Sequence, residues 1–177
     1  MNPHSFLACL TFAIIPAGWC AEAKELSDSD RAALLERAQT IQRAFDAGDA
    51  DAIIRYTHPA ILKFFPSREQ FEATTREAIK MMEGKVVVEK NEWGVPTAVY
   101  PSGMDEVAFV PKTTVVRIGD KRARGVGFLI AARQQGSGDW FFLDSASLRK
   151  DPSLLWKLFP DLPKDVKTPE NTMELLK

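Results

Sequence analysis

VAFVPKTTVVRIGDKRARGVGFLIAARQQGSGDWFFLDSASL, residues 107–148, decides how the rest of the chain is read. It divides into three strand-like runs, VAFVPKTTVVRI, ARGVGFLIAAR and DWFFLDSASL. Gly119-Asp120-Lys121 and Gln135-Gly136-Ser137-Gly138 separate them. Runs rich in Val, Ile, Phe and Thr, broken by short Gly/Asp clusters, predict an antiparallel meander. Polar residues occur on both alternating sets of the first run, so the pattern does not choose an inward face. A bulge near Pro111 is the expected device for switching faces.

Upstream the period is helical. Ser27-Asp28-Ser29-Asp30 offers a capping side chain and acids for the positive end of a helix dipole. Leu34, Ala38, Ile41 and Phe45 then form one apolar stripe, ended by Gly48. Asp49 restarts the chain as a short helix, DADAIIRYTH, which Pro59 stops, leaving His58 at the helix exit. A third helix opens on the capping pattern Ser67-Arg68-Glu69-Gln70, carries Phe71, Thr75, Ala78 and Met82, and stops at Gly84. Val86 to Trp93 reads as a strand, and Thr97 to Tyr100 as a shorter one. After Leu148 a short helix is expected through Leu158. Pro160, Pro163 and Pro169 predict an irregular remainder.

The first 23 residues differ in kind. Phe6 to Trp19 is almost wholly apolar, and Ala21 and Ala23 are the small residues a signal peptidase requires. The apolar run is about 14 residues, short of the roughly 20 of a membrane span. The n-region has no Lys or Arg, and Trp19 before Cys20 is unsuited to lipid attachment. A cleaved signal, and hence a periplasmic mature chain from Lys24, is the expectation. A retained anchor or lipoprotein is the alternative. Cys9 and Cys20 both precede the cut, so a mature chain would hold no cysteine and could be neither a thiol enzyme nor a Cys-ligated zinc protein.

Composition sets the remaining bounds. The 177 residues are 45% hydrophobic and 27% charged, an ordinary globular balance, with a formal net charge of −1. Removal of Glu22 with the signal leaves 23 acids against 23 bases, so no field favours nucleic acid. No cofactor motif is complete. Gly125-Val126-Gly127 lies within a strand and lacks the third glycine of a dinucleotide loop. Asp144-Ser145-Ala146-Ser147 has no flanking glycines, and Asp46, Asp49 and Asp51 match a calcium loop poorly.

Helices followed by antiparallel strands is the α+β pattern. The first helix ending FDAGD, the short helix with YTHP, the capped third helix and the meander closing on DWFFLDSASL together resemble the NTF2-like superfamily. That superfamily includes SnoaL-like and ketosteroid-isomerase-like cone folds. The resemblance covers Leu26 to Leu148 and implies three helices packed on a curved four- to six-stranded sheet, with an open cone. It also implies that the exposed sheet face dimerises. The resulting division is a signal at 1–23, an NTF2-like domain at 24–150 and a Pro-punctuated extension at 151–177.

Candidate site residues follow from chemistry and from this resemblance. His58 is the only histidine of the mature chain and the obvious candidate acid or base, although capping the end of the second helix through a backbone hydrogen bond is the simpler role. Asp144 interrupts the apolar run WFFL, where a buried acid needs a partner; a strand-end turn is the simpler role. Ketosteroid-isomerase-like chemistry implies a carboxylate base with a tyrosine or acid donor. Tyr56, Tyr100, Glu89, Asp105 and Asp144 are the available groups. Trp93, Tyr100, Trp140 and Phe142 could line a pocket or simply form core; Lys112 and Arg117 could bind an anionic ligand, but are expected to point to solvent. The reading is an exported binding protein without catalysis. It would hold a small apolar ligand in the cone, through Tyr56, His58, Trp93, Tyr100 and Asp144, or a protein partner on the sheet. An inhibitor, immunity or envelope-accessory role would suit it. The alternative is an enzyme performing proton transfer on a hydrophobic substrate.

Overall fold

The computed structural model describes residues 23–177. The expected signal therefore lies outside the described residues apart from Ala23. Among the described residues, four α-helices and a seven-stranded antiparallel sheet form an α+β structure. In chain order they are β1 (Lys24–Glu25), α1 (Asp28–Asp46), α2 (Ala50–Tyr56), α3 (Arg68–Met82), β2 (Val86–Trp93), β3 (Ala98–Ser102), β4 (Asp105–Ile118), β5 (Lys121–Gln134), β6 (Phe141–Asp144), α4 (Leu154–Leu158) and β7 (Thr172–Leu176).

The helix starts obey their capping residues. Ser27 Oγ accepts from Asp30 N at 3.1 Å, Asp49 Oδ1 from Ala52 N at 2.9 Å, and Ser67 Oγ from Gln70 N at 3.2 Å. Each satisfies an N–H that the first helical turn would otherwise leave unpaired. In α3 the apolar face differs by one position from the expected stripe. Phe71 and Ile79 are buried, whereas Ala78 is exposed.

The sheet is built on one long hairpin. β4 and β5, 14 residues each, pair without a register break from Asp105↔Gln134 to Ile118↔Lys121. Gly119 turns the hairpin at φ 57°, a left-handed conformation that only glycine adopts freely. The expected bulge at Pro111 is absent, since Pro111 pairs directly with Phe128. The outer partner of β4 changes there instead, from β3 up to Ala108 to β2 from Lys112. The Pro111 carbonyl accepts from Gly94 N at 2.8 Å on that outer side, so its missing N–H falls in the gap between the two partner strands. The bulge lies in β2, where the register shifts between Val88 and Lys90.

The hairpin thus has two halves. The first half, flanked by β3 and β6, is buried on both faces. One face carries Ala108, Val110, Leu129 and Ala131 against Leu34 and Ala38 of α1. The other carries Val107, Phe109, Phe128 and Ile130 against Leu155, Leu158, Phe159 and Leu162. The question of which face is inward therefore resolves as both. The segment after Leu148, expected to be irregular beyond Leu158, supplies this second covering layer and then ends in β7. β7 pairs with β5 from Val126↔Thr172 to Arg122↔Leu176. The expected strand continuation Ser145–Leu148 is a 3-10 helix, because Asp144 Oδ1 accepts from Ala146 N at 2.7 Å and turns the backbone.

Arg133 ties α1 to the sheet. Its guanidinium donates to Asp30 at 2.7 Å and Glu106 at 2.9 Å and lies over the Trp140 ring, 4.4 Å from its centroid. Arg133 holds the Asp30 carboxyl below its usual range.

Candidate functional site

The second half of the hairpin, flanked by β2 and β7, is covered differently. On the α1 side the strand residues continue the inward parity as Lys112, Thr114 and Val116 on β4 and Gly127 and Gly125 on β5. β2 contributes Val86, Val88 and Trp93. Above them stand Ile41 and Phe45 of α1, Ile53 and Tyr56 of α2, and Thr75 of α3. These layers do not meet. Between them lies an apolar-walled cavity of about 490 Å³.

Local sequence accounts for the space. Two glycines at alternate positions leave the floor without side chains along β5. A Cβ built on Gly125 would meet only Met173 Cε at 3.8 Å and Thr114 O at 4.0 Å. The threonine hydroxyls of the walls are spent internally. Thr57 donates to Ile53 O at 2.7 Å, Thr75 to Phe71 O at 2.9 Å, and Thr114 to Asn91 Oδ1 at 2.9 Å. A second space of about 490 Å³ shares Phe45, Val86 and Val88 with the first and extends towards Ile79 and Met82 of α3.

Charge is confined to one end. Lys112 Nζ lies 2.5 Å from Asp144 Oδ2. Arg149 lines the same end and donates to Asn171 Oδ1 at 3.1 Å, while Asn171 Nδ2 donates to Ser145 O at 2.7 Å. Ser145 is buried and its Oγ accepts from Phe128 N at 3.0 Å. The polar end is therefore assembled from the end of β6, the 3-10 helix and the residues before β7.

Of the residues singled out by sequence, Tyr56, Trp93 and Asp144 line this cavity together, with Phe142. His58 and Tyr100 do not. His58 is 9% exposed and packs against Phe159, with ring centroids 5.3 Å apart, and Phe141, 6.3 Å apart. Its Nδ1 accepts from Ala60 N at 3.2 Å and caps the 3-10 helix Pro59–Phe64. Burial holds the imidazole pKa below its ordinary value. Tyr100 packs on Phe109 in the core beneath the C-terminal layer. Trp140 is core, and Glu89 lies with Arg117 and Arg122, which hold its carboxyl below the usual range. Asp105 lies at the first residue of β4, paired in register with Ser102 and Gln134. Lys112, expected to face solvent, points to the cavity instead, with its side chain 19% exposed.

The residues that sequence reasoning missed are the two glycines and the helix side chains above them. A Gly-x-Gly within a strand was the available signal, since glycine in a strand interior marks a place where something else approaches. Tyr56 and Asp144 share the cavity without a hydrogen bond between them. Asp144 directs one oxygen to Lys112 and the other to Ala146 N. Among the described residues no group of three His, Cys, Asp or Glu side chains converges as a metal site would require, and no helix is long and apolar enough to cross a membrane. The chain matches no protein-family model, and no curated protein or solved structure is significantly similar to it.

Proposed function

We propose that the protein is an exported, NTF2-like binding protein that holds a small apolar molecule in the cavity between α1–α3 and the second half of the β4–β5 hairpin. One observation carries this reading. Ile41, Phe45 and Ile53 face Val86, Val88 and Val116 across about 490 Å³ that no side chain fills. Such a volume is typical of small-molecule sites, which lie in the range of about 300–1,000 Å³. Apolar walls without a partner forfeit the dispersion contacts that a guest would restore. Three N-terminal helices followed by an antiparallel sheet support the cone comparison, and the apolar run of residues 6–19 supports export to the periplasm.

The partner-protein form of the proposal has less surface to use. The C-terminal layer covers one face of the first half, and on the outer face of the second half Arg117, Arg122 and Arg124 are paired with Glu89 and Glu174. Proton-transfer catalysis would need an acid and a base in mutual reach, and His58 and Asp144 are each committed to a capping bond.

The test is titration with N-phenyl-1-naphthylamine, a neutral dye that fluoresces in apolar surroundings. Saturable binding of one dye per chain, lost in Gly125→Leu while the fold is retained, is expected. Absence of saturable binding, or equal binding by Gly125→Leu, overturns the reading.

A further inference from the structure

Resting on that reading, we propose that the guest is an amphiphile with a single carboxylate head, its apolar body between the helices and the sheet and its head at Lys112. The cavity is chemically one-ended. Its charged lining residues are Lys112, Arg149 and Asp144, two cations against one carboxylate. The rest of the lining is mostly apolar, glycine or aromatic; among its polar side chains Thr57, Thr75 and Thr114 donate within the protein, Gln42 donates to Asp46, and Ser145 accepts from Phe128 N.

Lys112 is the group with capacity to spare. An ammonium has three N–H donors and no acceptor, and one of them is directed to Asp144. Asp144 is fixed from its other side by Ala146 N and so holds the ammonium at the cavity wall. Arg149 is fixed likewise by Asn171 with one nitrogen, leaving the rest of its guanidinium uncommitted among the described residues. Donors outnumber acceptors at this end. A neutral head would leave the surplus positive charge uncompensated, and an amine head would oppose it. A carboxylate accepts charge-assisted bonds, which are about twice as strong as neutral ones.

The arrangement also places the competitor. Asp144 is the acceptor with which an incoming carboxylate must share Lys112, so its charge weakens acid binding while its position orients the ammonium. Removing that charge while keeping the cap, as in Asp144→Asn, frees Lys112 for the guest.

Displacement of N-phenyl-1-naphthylamine by dodecanoic acid, dodecanol and dodecylamine reads the preference directly on the unmodified protein. The acid is expected to displace the dye at a concentration about tenfold below that of the alcohol or the amine. Lys112→Met is expected to bring the acid to the level of the alcohol while the dye still binds, and Asp144→Asn to strengthen the acid alone. Equal displacement by acid and alcohol overturns the carboxylate assignment and leaves the apolar cavity standing. A lead for the amine overturns it in favour of Asp144 as the head-group partner. A preference for acid that survives in Lys112→Met overturns the role of Lys112. Failure of the dye itself to bind is a different result, which removes the cavity reading on which the assignment rests.

Discussion

Gly125 and Gly127 stand two residues apart on one face of β5, yet a methyl group on the first would meet nothing closer than 3.8 Å, while one on the second would lie 3.3 Å from Ser145 Oγ. The two glycines therefore respond oppositely to the same substitution. Gly125→Ala is expected to be neutral or to stabilise by up to about 1 kcal/mol, through reduced freedom of the unfolded chain. Gly127→Ala presses on the hydroxyl that accepts from Phe128 N and is expected to cost about 1–3 kcal/mol, the range for a disturbed buried hydrogen bond. Urea denaturation of the two variants gives the comparison, and a shared sign would contradict this account of the floor.

The C-terminal layer behaves as core. Leu155 is 1% exposed and packs with Phe128, Ile130 and Leu158. Leu155→Ala is expected to destabilise by about 2–5 kcal/mol, as truncations in a packed interior do. Leu34→Ala, on the opposite face of the sheet, should fall in the same range. A dispensable extension would instead show a change within experimental error at Leu155.

His58 makes stability depend on pH with a definite sign. Its folded pKa lies below the ordinary 6.5 because burial disfavours the imidazolium. The unfolded chain therefore binds more protons between the two values. Stability is complete above about pH 6.5 and falls as pH drops towards the folded pKa. Protonation of Nδ1 would also abolish its acceptance from Ala60 N. His58→Asn retains a capping acceptor without titrating. Melting temperatures measured from about pH 5 to pH 7 should flatten relative to the parent. A parent profile that rises on acidification would exclude this origin.

Asp144 has two duties of different worth. Its side chain is about half exposed, so the pair with Lys112 is expected to contribute at most about 1 kcal/mol. Capping Ala146 N contributes about 1 kcal/mol more. Asp144→Asn, which keeps an acceptor oxygen, should thus cost less than Asp144→Ala in thermal unfolding. Equal losses would assign the whole effect to the ion pair.

Features set by near neighbours were legible in the chain. Ser27, Asp49 and Ser67 announce helix starts because a cap is a bond across three residues. Gly119-Asp120 announces the hairpin because the turn alone demands a positive φ. What depends on distant partners was not legible. Thr172–Leu176 becomes a strand because β5 presents an unpaired edge beside it, which three preceding prolines obscure. Ser145–Leu148 leaves the strand because one carboxylate turns back on its own backbone. Within the site, chemistry singled out Tyr56, Trp93 and Asp144 but also His58 and Tyr100, since residue type does not reveal which core a side chain joins. Periodicity identified Ile41 and Phe45 as an apolar stripe, and no periodicity reports whether the space beneath such a stripe is filled.

The division of the β4–β5 hairpin implies an uneven mechanical character along a single pair of strands. Amides of Val107–Val110 and Leu129–Ala132, enclosed on both sides, belong to the last region to open and should exchange hydrogen most slowly. Amides of Thr114–Val116, above unfilled space, should exchange through smaller excursions that leave the enclosed end intact. Under the proposed function, a guest would bear on that end of the sheet alone. Its arrival would be recorded as slowed exchange there, with no change at the other end of the same strands.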